Sequence, residues 1–282
     1  MAKSKDKIVF IVGPTAVGKS SVAHSLAKKL KGEVVSLDSM QVYKEISVAS
    51  DKPSKDMFKE VPYHLVGIVS VKDEFNVSLF KTLAQESIVD VLRRKKLPIF
   101  AGGSGLYLQV LLDGIFDGAS RDLGLRQALE KEAKEKGNTC LYEKLKNIDP
   151  ASAEKIHPNN LIRVIRALEV SLLGGKPFSE KKEEREGIWG KYDIRVFGLD
   201  MEREDLYERI NRRVDEMFVR GLAEEIKGIT SLPLSLTASA MIGVKEILES
   251  FKGEYDLDRA KELIKRNTRH YAKRQLTWFR KD

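Results

Sequence analysis

Near its N-terminus the chain reads Ile8-Val-Phe-Ile-Val-Gly13-Pro-Thr-Ala-Val-Gly18-Lys-Ser20. The first five of these residues are apolar and four are β-branched, which is typical of a strand buried in a parallel sheet. From residue 20 to residue 30 apolar residues recur at helical spacing, which predicts a helix directly after the strand. The stretch therefore predicts a strand, a glycine-containing turn and a helix in immediate succession.

The turn between this strand and this helix has the spacing Gly-x-x-x-x-Gly-Lys-Ser of a phosphate-binding P-loop. Its glycines let backbone N–H groups point at phosphate oxygens, while the helix N-terminus and the lysine add positive charge. A hydroxyl at the last position is placed to bind Mg²⁺. We assign to this diphosphate-binding loop Gly13, Pro14, Thr15, Ala16, Val17, Gly18, Lys19 and Ser20, with Ser20 as the metal ligand. The pattern does not distinguish a loop that holds ATP from one that holds a pyrophosphate leaving group.

Three further apolar runs, at residues 33–37, 97–101 and 194–199, predict strands separated by helical segments. Strands that alternate with helices indicate an α/β fold with a mostly parallel sheet. The chain between residues 114 and 191 is dense in Lys and Glu and predicts helices at about 125–135, 140–147 and 158–173. We therefore predict a P-loop core in two parts, residues 1–113 and 192–282, interrupted by a helical insertion domain at 114–191.

Polar side chains follow two of the predicted strands. Asp38 comes after the second strand and Ser104 after the third, and ligands of open α/β sheets bind beyond such strand ends. Asp38 has three interpretations that its position does not separate: a general base, a Mg²⁺ ligand, or the first residue of an Asx turn. Arg212 and Arg213 lie on a later predicted helix, where either one clamps phosphate oxygens opposite Lys19 or forms only surface salt bridges.

Composition limits the classes of function. The chain has 282 residues, 42% of them hydrophobic, a net charge of +8 and one cysteine, Cys140. No apolar run is long enough for a membrane span, and a single cysteine excludes an internal disulfide, so we expect a cytoplasmic protein. Residues 261–282 carry eight Lys/Arg against two Asp/Glu, with Tyr271 and Trp278 among them. Such a tail is either a solvated helical face or an RNA-contacting surface.

Taken together, several stretches resemble the tRNA dimethylallyltransferases, the isopentenyl transferases that modify the adenosine next to the anticodon. Besides the P-loop they are Asp38-Ser-Met-Gln-Val-Tyr43, Ala101-Gly-Gly-Ser-Gly-Leu-Tyr107, His157-Pro-Asn-Asn160, Arg163-Val-Ile-Arg-Ala-Leu-Glu169, Gly175-Lys-Pro-Phe-Ser-Glu180, Arg213-Val-Asp-Glu-Met217, Gly221-Leu222 and Tyr271-Ala-Lys-Arg-Gln-Leu-Thr-Trp-Phe-Arg280. The chain departs from the family at Ser104, where threonine is common, at Ile162, where we expect arginine, and in residues 239–246.

The resemblance implies a nucleotide-kinase-like P-loop core with a helical insertion. It also implies a partner, the anticodon loop of tRNA, and we expect a monomer that does not associate with a membrane. It implies transfer of a dimethylallyl group from dimethylallyl diphosphate to N6 of adenosine 37, with release of diphosphate and with Mg²⁺ as cofactor. On the matching positions Asp38 would be the base, and Arg213 would join Lys19 on the diphosphate. The implied tRNA contacts are Asp38, Ser39, Met40, Gln41, Ser104, Arg126, Asn159, Asn160, Leu161, Ile162 and Arg163.

Three other functions share the phosphate loop. They are a small-molecule kinase in which Asp38 orients an acceptor hydroxyl, isopentenyl transfer to free adenine nucleotides, and an RNA-binding NTP switch without catalysis. The basic, aromatic tail disfavours the kinase, and the large insertion disfavours a nucleotide acceptor. If the tail contacts RNA, truncation before Lys261 should weaken tRNA binding and leave the diphosphate site intact, provided the core still folds.

Overall fold

The structure, a computed structural model, describes residues 5–115, 122–181 and 186–281. The chain divides into two compact units: Met1–Leu112 with Ile188–Asp282, and Asp113–Gly187. From the sequence we place the insertion at residues 114–191. The first unit holds the sheet and the P-loop, and the second unit is helical.

The first unit is built on a five-stranded sheet with the order β3-β2-β4-β1-β5. Its strands are β1 Lys7–Val12, β2 Glu33–Ser36, β3 Tyr63–His64, β4 Pro98–Gly102 and β5 Asp193–Gly198. All neighbouring strands are parallel. Because β4 lies between β1 and β2, the segments that follow these three strands meet at one edge of the sheet. The parallel α/β core predicted from the sequence is confirmed.

The helices of this unit come in two groups that flank the insertion in the chain. They are α1 Lys19–Leu30, α2 Lys55–Glu60, α3 Val77–Arg93, α4 Gly105–Asp113, α10 Arg203–Val219, α11 Leu222–Ile229, α12 Leu236–Ser239, α13 Val244–Phe251 and α14 Leu257–Phe279. None of the helices in the described part of the chain is long and apolar enough to cross a membrane.

Strand β1 is buried on both of its faces, and its side chains alternate between them. On one face Phe10 of β1 stacks on Phe100 of β4, with ring centroids 4.7 Å apart. On the other face Val9 and Ile11 belong to a buried cluster that includes Ala23 of α1. An alanine at this contact lets α1 approach the sheet closely, and so fixes the direction in which the helix leaves the P-loop.

The short strand β3 was not predicted from the sequence. Its residues Tyr63 and His64 carry no hydrophobic periodicity, and side-chain hydrogen bonds help to hold the strand instead. The carboxylate of Glu33, buried in β2, lies 2.7 Å from His64 Nε2 and accepts hydrogen bonds from Arg94 at 2.6 and 3.1 Å. A pairing set by such tertiary contacts leaves no periodic signal in the sequence.

The second unit has an apolar core of its own, which includes Leu141, Leu145, Val164 and Leu168. Its helices are α5 Leu123–Lys136, α6 Asn138–Ile148, α7 Pro150–Ala153, α8 Leu161–Gly174 and α9 Phe178–Lys181. Helix α8 begins three residues later than predicted because Asn160 caps it, its side chain accepting the N–H of Arg163.

Candidate active site

The P-loop connects β1 to α1, and each of its glycines meets a different requirement. A Cβ on Gly13 would lie 2.4 Å from the carbonyl oxygen of Leu199, so only glycine lets the segment after β5 pass this close. A Cβ on Gly18 would make only an ordinary contact with Arg209 NH2 at 3.8 Å, but the φ of +103° strongly favours glycine. The loop geometry therefore depends on both positions, as the motif predicts.

Lys19 curls back over the loop, and its Nζ donates a hydrogen bond to the carbonyl of Pro14 at 2.6 Å. Desolvation lowers the pKa of Lys19 from 10.5 to about 8; Asp38 acts in the opposite direction, and Arg213 lowers the pKa further. A diphosphate bound beside this amine would favour its charged form. The free protein thus holds Lys19, the predicted phosphate-binding cation, with a pKa of about 8.

Asp38 lies in the loop after β2, where its Oδ1 accepts the backbone N–H of Met40 at 2.8 Å. This is an Asx turn, one of the three interpretations left open by the sequence. Among the described residues the other carboxylate oxygen accepts no hydrogen bond, so the turn leaves that oxygen available for a proton or a metal ion. The base and metal-ligand roles of Asp38 therefore stay predictions.

Two adjoining cavities meet at Asp38. The first, of about 360 Å³, is lined by the P-loop and by three arginines of α10, Arg209, Arg212 and Arg213. The second, of about 320 Å³, is lined mainly by apolar side chains: Met40, Ile210, Val214, Met217, Leu222, Met241, Ile242 and Ile264 are among them. Both cavities share Thr15, Asp38, Ser50, Arg213 and Tyr271. A polar, cationic compartment and an apolar one are thus joined at a carboxylate.

Arg213 reaches the P-loop from α10, its NH1 donating a hydrogen bond to Thr15 Oγ1 at 2.9 Å. Arg212 pairs instead with Glu208 on the same helix at 2.9 Å, although it also lines the polar cavity. Arg209, one helical turn before Arg213, was not predicted from the sequence. The i, i+4 spacing of these two arginines was the available signal.

The C-terminal helix α14 contributes two site residues that the sequence analysis did not assign. Gln275 accepts the backbone N–H of Thr15 through Oε1 and donates through Nε2 to the carbonyl of Gly103, both at 2.8 Å. Tyr271 lines both cavities, and burial together with the charge of Asp38 raises its pKa to about 12. The basic tail is therefore in part a wall of the site.

The residues of the Asp38-Ser-Met-Gln box divide between the two cavities. Ser39 and Met40 line the apolar cavity, whereas Gln41 lines the polar one. The Gln41 side chain is already engaged, since it accepts from Ser36 Oγ at 2.9 Å and donates to the carbonyls of Ser50 and Asp51. In this structure Gln41 braces the loop, and its predicted contact with tRNA stays a prediction.

Ser104 lies after β4, and its backbone N–H donates to the carbonyl of Leu37 at the end of β2. A hydrogen bond between the Ser104 hydroxyl and Tyr271 partly offsets the rise in the pKa of that phenol. Because β2 and β4 are neighbours in the sheet, Ser104 lies near Asp38 and Tyr271, although neither cavity lining includes it.

The remaining predicted tRNA contacts lie in the helical unit. Asn159, Asn160, Leu161 and Ile162 line a shallow surface cavity with His157. The side chains of Ile162 and Arg163 are exposed, Ile162 by 71%, and Arg126 pairs with Glu130 at 3.3 Å. An exposed isoleucine with a neighbouring arginine is compatible with a nucleic-acid contact, and the tRNA-binding role of this group stays a prediction.

The residues around Ser20 suit a magnesium ion held mainly by its substrate. Among the described residues there is no group of three or more His, Cys, Asp or Glu side chains that could hold a metal ion. Mg²⁺ at phosphate sites is usually bound by one or two protein oxygens, with phosphate oxygens and water completing the shell. The exposed Ser20 hydroxyl, in the same cavity as Asp38, meets that requirement.

The lowered pKa of Lys19 predicts a pH dependence of substrate capture. The charged amine is the form that attracts a diphosphate, so kcat/KM for such a substrate should be level below about pH 7. Above the free-protein pKa of about 8 it should fall roughly tenfold per pH unit. The corresponding fall in kcat should begin at higher pH, because a bound diphosphate raises the pKa of Lys19. A kcat/KM profile that stays flat to pH 10 would contradict this role of Lys19.

The parallel sheet and the loop between β1 and α1 give this chain the architecture of a P-loop protein, and the arginine-lined cavity at that loop is predicted to take a diphosphate-bearing ligand. Residues 41–282 match the model of the family described as IPP transferase, and residues 6–65 match isopentenyl transferase. The chain belongs to the IPP transferase family and is a transferase.

Relatives and solved structures support the same family membership. A tRNA dimethylallyltransferase of Geobacter sulfurreducens is 44% identical over 283 residues, covering 100% of this chain and 91% of the relative. That of Alkaliphilus oremlandii is 46% identical over 280 residues, covering 98% and 89%. The tRNA isopentenylpyrophosphate transferase of Bacillus halodurans superposes with a TM-score of 0.71 at 41% identity, covering 99% and 88%. A eukaryotic dimethylallyltransferase acting on tRNA gives a TM-score of 0.83 at 34% identity, covering 97% and 69%.

Proposed function

We propose that this protein transfers the dimethylallyl group of dimethylallyl diphosphate to N6 of adenosine 37 in the anticodon loop of tRNA. The observation that carries the proposal is the position of Asp38, where a cationic cavity built on the P-loop meets an apolar cavity. The family to which the chain belongs supports the same reaction. With tRNA as acceptor we place the protein in the cytoplasm, and one chain supplies every residue of the diphosphate site, which fits a monomer.

The acceptor nitrogen requires help from a base. The lone pair of an exocyclic adenine amine is delocalised into the ring, so N6 is a weak nucleophile. As N6 attacks C1 of the dimethylallyl group, the carboxylate of Asp38 takes one N6 proton. The Asx turn with Met40 fixes the Asp38 side chain in place for this step. General base catalysis of this kind contributes a factor of about 10² to 10⁴ in rate.

The other half of the reaction is departure of diphosphate. As the C1–O bond breaks, its electron pair passes to the leaving oxygen, and negative charge develops on the diphosphate. Lys19, Arg213 and the N–H groups of the P-loop would surround that charge, and preorganised donors of this type lower the barrier directly. An allylic carbon tolerates positive character, so bond breaking can run ahead of bond formation.

Ser20 would hold Mg²⁺, with Asp38 nearby in the same cavity. The chemistry that the ion supplies when bound is partial neutralisation of the diphosphate charge. In the apolar cavity, methionine and aliphatic side chains would pack against the dimethylallyl group and against the face of the target base. That base must leave the anticodon stack, at a cost of a few kcal/mol. Contacts between the tRNA backbone and Asn159–Arg163, together with contacts between the tRNA backbone and basic side chains of α14, would offset this cost.

The proposal is tested by offering labelled dimethylallyl diphosphate with three acceptors: unmodified tRNA, AMP, and a hydroxyl compound supplied with ATP. We expect label in tRNA at N6 of adenosine 37, identified by nuclease digestion and mass spectrometry, and no transfer to the hydroxyl compound. Transfer to AMP with none to tRNA would establish the nucleotide-acceptor reaction instead. If ATP-dependent phosphorylation of the hydroxyl compound is the only activity, the prenyl-transfer proposal is wrong.

A tRNA in which adenosine 37 is replaced by guanosine is the matched control. Label that enters this tRNA equally would show that the site does not select the proposed nucleotide. Mg²⁺ is tested in the same assay by chelation with EDTA and re-addition. Unchanged turnover in EDTA would contradict the proposed metal.

A further inference from the structure

Besides Asp38, the cationic cavity contains the carboxylate of Asp51, which would repel an anionic substrate. Asp51 lines the polar cavity and lies between two arginines of the α10 region. Its Oδ2 is 3.5 Å from Arg213 Nε, and its Oδ1 is 3.3 Å from Arg220 NH1. The proposed reaction assigns no role to Asp51, so its position calls for a physical explanation.

The two ends of the Arg213 guanidinium face different partners. The Nε edge faces Asp51, whereas NH1 donates to Thr15 Oγ1 in the P-loop at 2.9 Å. A guanidinium is a rigid planar fork, so a partner at Nε fixes the plane in which the terminal NH groups lie. The ion pair with Asp51 therefore restrains the Nε edge of Arg213, and the terminal NH1 group stays turned toward the P-loop.

The loop that carries Asp51 is anchored independently of the Asp51 carboxylate. The backbone N–H groups of Ser47, Val48 and Ala49 all donate to the carboxylate of Glu225 on α11, at 2.7 to 3.0 Å. The Gln41 amide donates to the backbone carbonyl of Asp51 at 3.3 Å. A change confined to the Asp51 carboxylate should therefore leave the loop in place.

We infer that Asp51 is a positioning residue, which orients Arg213 toward the diphosphate oxygens whose charge grows as the leaving group departs. The inference rests on the proposed function and deepens it. An arginine held in advance stabilises the transition state without reorganising during the reaction. Loss of the carboxylate should thus affect the departing, fully charged diphosphate more than the bound substrate, in which the bridging oxygen is still esterified.

The test uses Asp51→Asn, because Asp51 has a φ of +49° and asparagine tolerates this left-handed conformation better than alanine. We expect kcat to fall on the order of tenfold and the KM for dimethylallyl diphosphate to change less than about threefold. The affinity for inorganic diphosphate, measured by calorimetry with Mg²⁺, should fall by about the same factor as kcat. Asp51→Gly, which also accepts a positive φ, should give the same pattern.

Combining the change with Arg213→Ala decides whether Asp51 acts through Arg213. In that background Asp51→Asn should alter kcat less than about twofold, because the group that it positions has gone. Asp56→Asn is the matched control: Asp56 is an exposed carboxylate of α2 that pairs with Lys59, and its loss should change nothing. Melting temperatures of all the variants verify that they fold.

The outcomes separate this inference from the proposed function. Unchanged kcat in Asp51→Asn, or tighter binding of diphosphate, would show that Asp51 does not position Arg213. An effect that persists undiminished in Arg213→Ala would show that Asp51 acts through some other group. A wild-type protein that transfers no label to tRNA would instead contradict the proposed function, while diphosphate affinities of wild type and Asp51→Asn would still decide the role of Asp51.

Discussion

Asp38→Asn is expected to lower kcat for transfer to tRNA by about three orders of magnitude while changing tRNA affinity no more than a few fold. The amide cannot accept the N6 proton, and loss of a general base costs a factor of about 10² to 10⁴. The variant is nearly isosteric, and its side-chain oxygen can still accept the Met40 N–H that forms the Asx turn. Single-turnover transfer and filter binding of tRNA measure the two quantities separately.

Asp38→Ala serves as the comparison, since it removes both the base and the turn. If Asn and Ala lose turnover equally while tRNA still binds, the proton-accepting role of the carboxylate carries the effect. If Asn keeps activity within tenfold and only Ala is impaired, the Asx turn is the main role of Asp38. Loss of tRNA binding in Asp38→Asn would make Asp38 chiefly a contact to adenine.

Truncation before Lys261 is expected to lower the melting temperature by about 10 °C or more and to abolish diphosphate binding. The removed part of α14 includes buried Ile264, whose loss alone costs about 2–5 kcal/mol. Removing Gln275 also leaves the Thr15 N–H and the Gly103 carbonyl without their partner, at about 1–3 kcal/mol each. For a chain of this size about 1 kcal/mol corresponds to roughly 2–4 °C. Calorimetry and diphosphate titration measure both effects.

Gln275→Leu separates the contact with the P-loop from the folding of the helix. It should raise the KM for dimethylallyl diphosphate about tenfold, because one P-loop amide and the loop after β4 lose their link. Thr277→Ala is the control on the same helix, since the exposed Thr277 hydroxyl bonds, within the described ranges, only to the carbonyl of Lys273. A truncated chain that melts normally and binds diphosphate would make the end of α14 an appended RNA-binding arm.

This expectation differs from the one drawn from the sequence, which left the diphosphate site intact after truncation. Half of the eight basic residues counted there bond to side chains of the α10 region or the segment just before it. Lys261 and Lys265 pair with Asp215 at 2.7 and 3.0 Å, Arg269 bonds to Asn211, and Arg280 pairs with Asp200 at 3.1 Å. A count of charges cannot distinguish cations that bind a partner from cations that bind the protein itself.

The sequence alone predicted the P-loop, the parallel core and the helical insertion, and the parallel core is confirmed. These features rest on local rules: a β-branched apolar run, glycines at fixed spacing and apolar residues at helical intervals. It also placed Asp38 and Ser104 at strand ends on one edge of the sheet, because strands of a parallel sheet finish at the same edge. It could not predict the two residues of β3, because they carry no periodic pattern and one of them, His64, is held by the side chain of Glu33.

Only the tertiary structure decided which distant residues complete the site. Gln275 lies 260 residues after Thr15, and Arg213 lies 198 after it, yet both bond to that one threonine. The pairing of Asp51 with Arg213 is of the same kind. Such contacts depend on how α10 and α14 pack beside the sheet, and packing is set by the sum of many buried contacts rather than by any spacing in the chain. The phosphate loop is thus written locally in the sequence, whereas the groups that orient its ligand are brought to it by the fold.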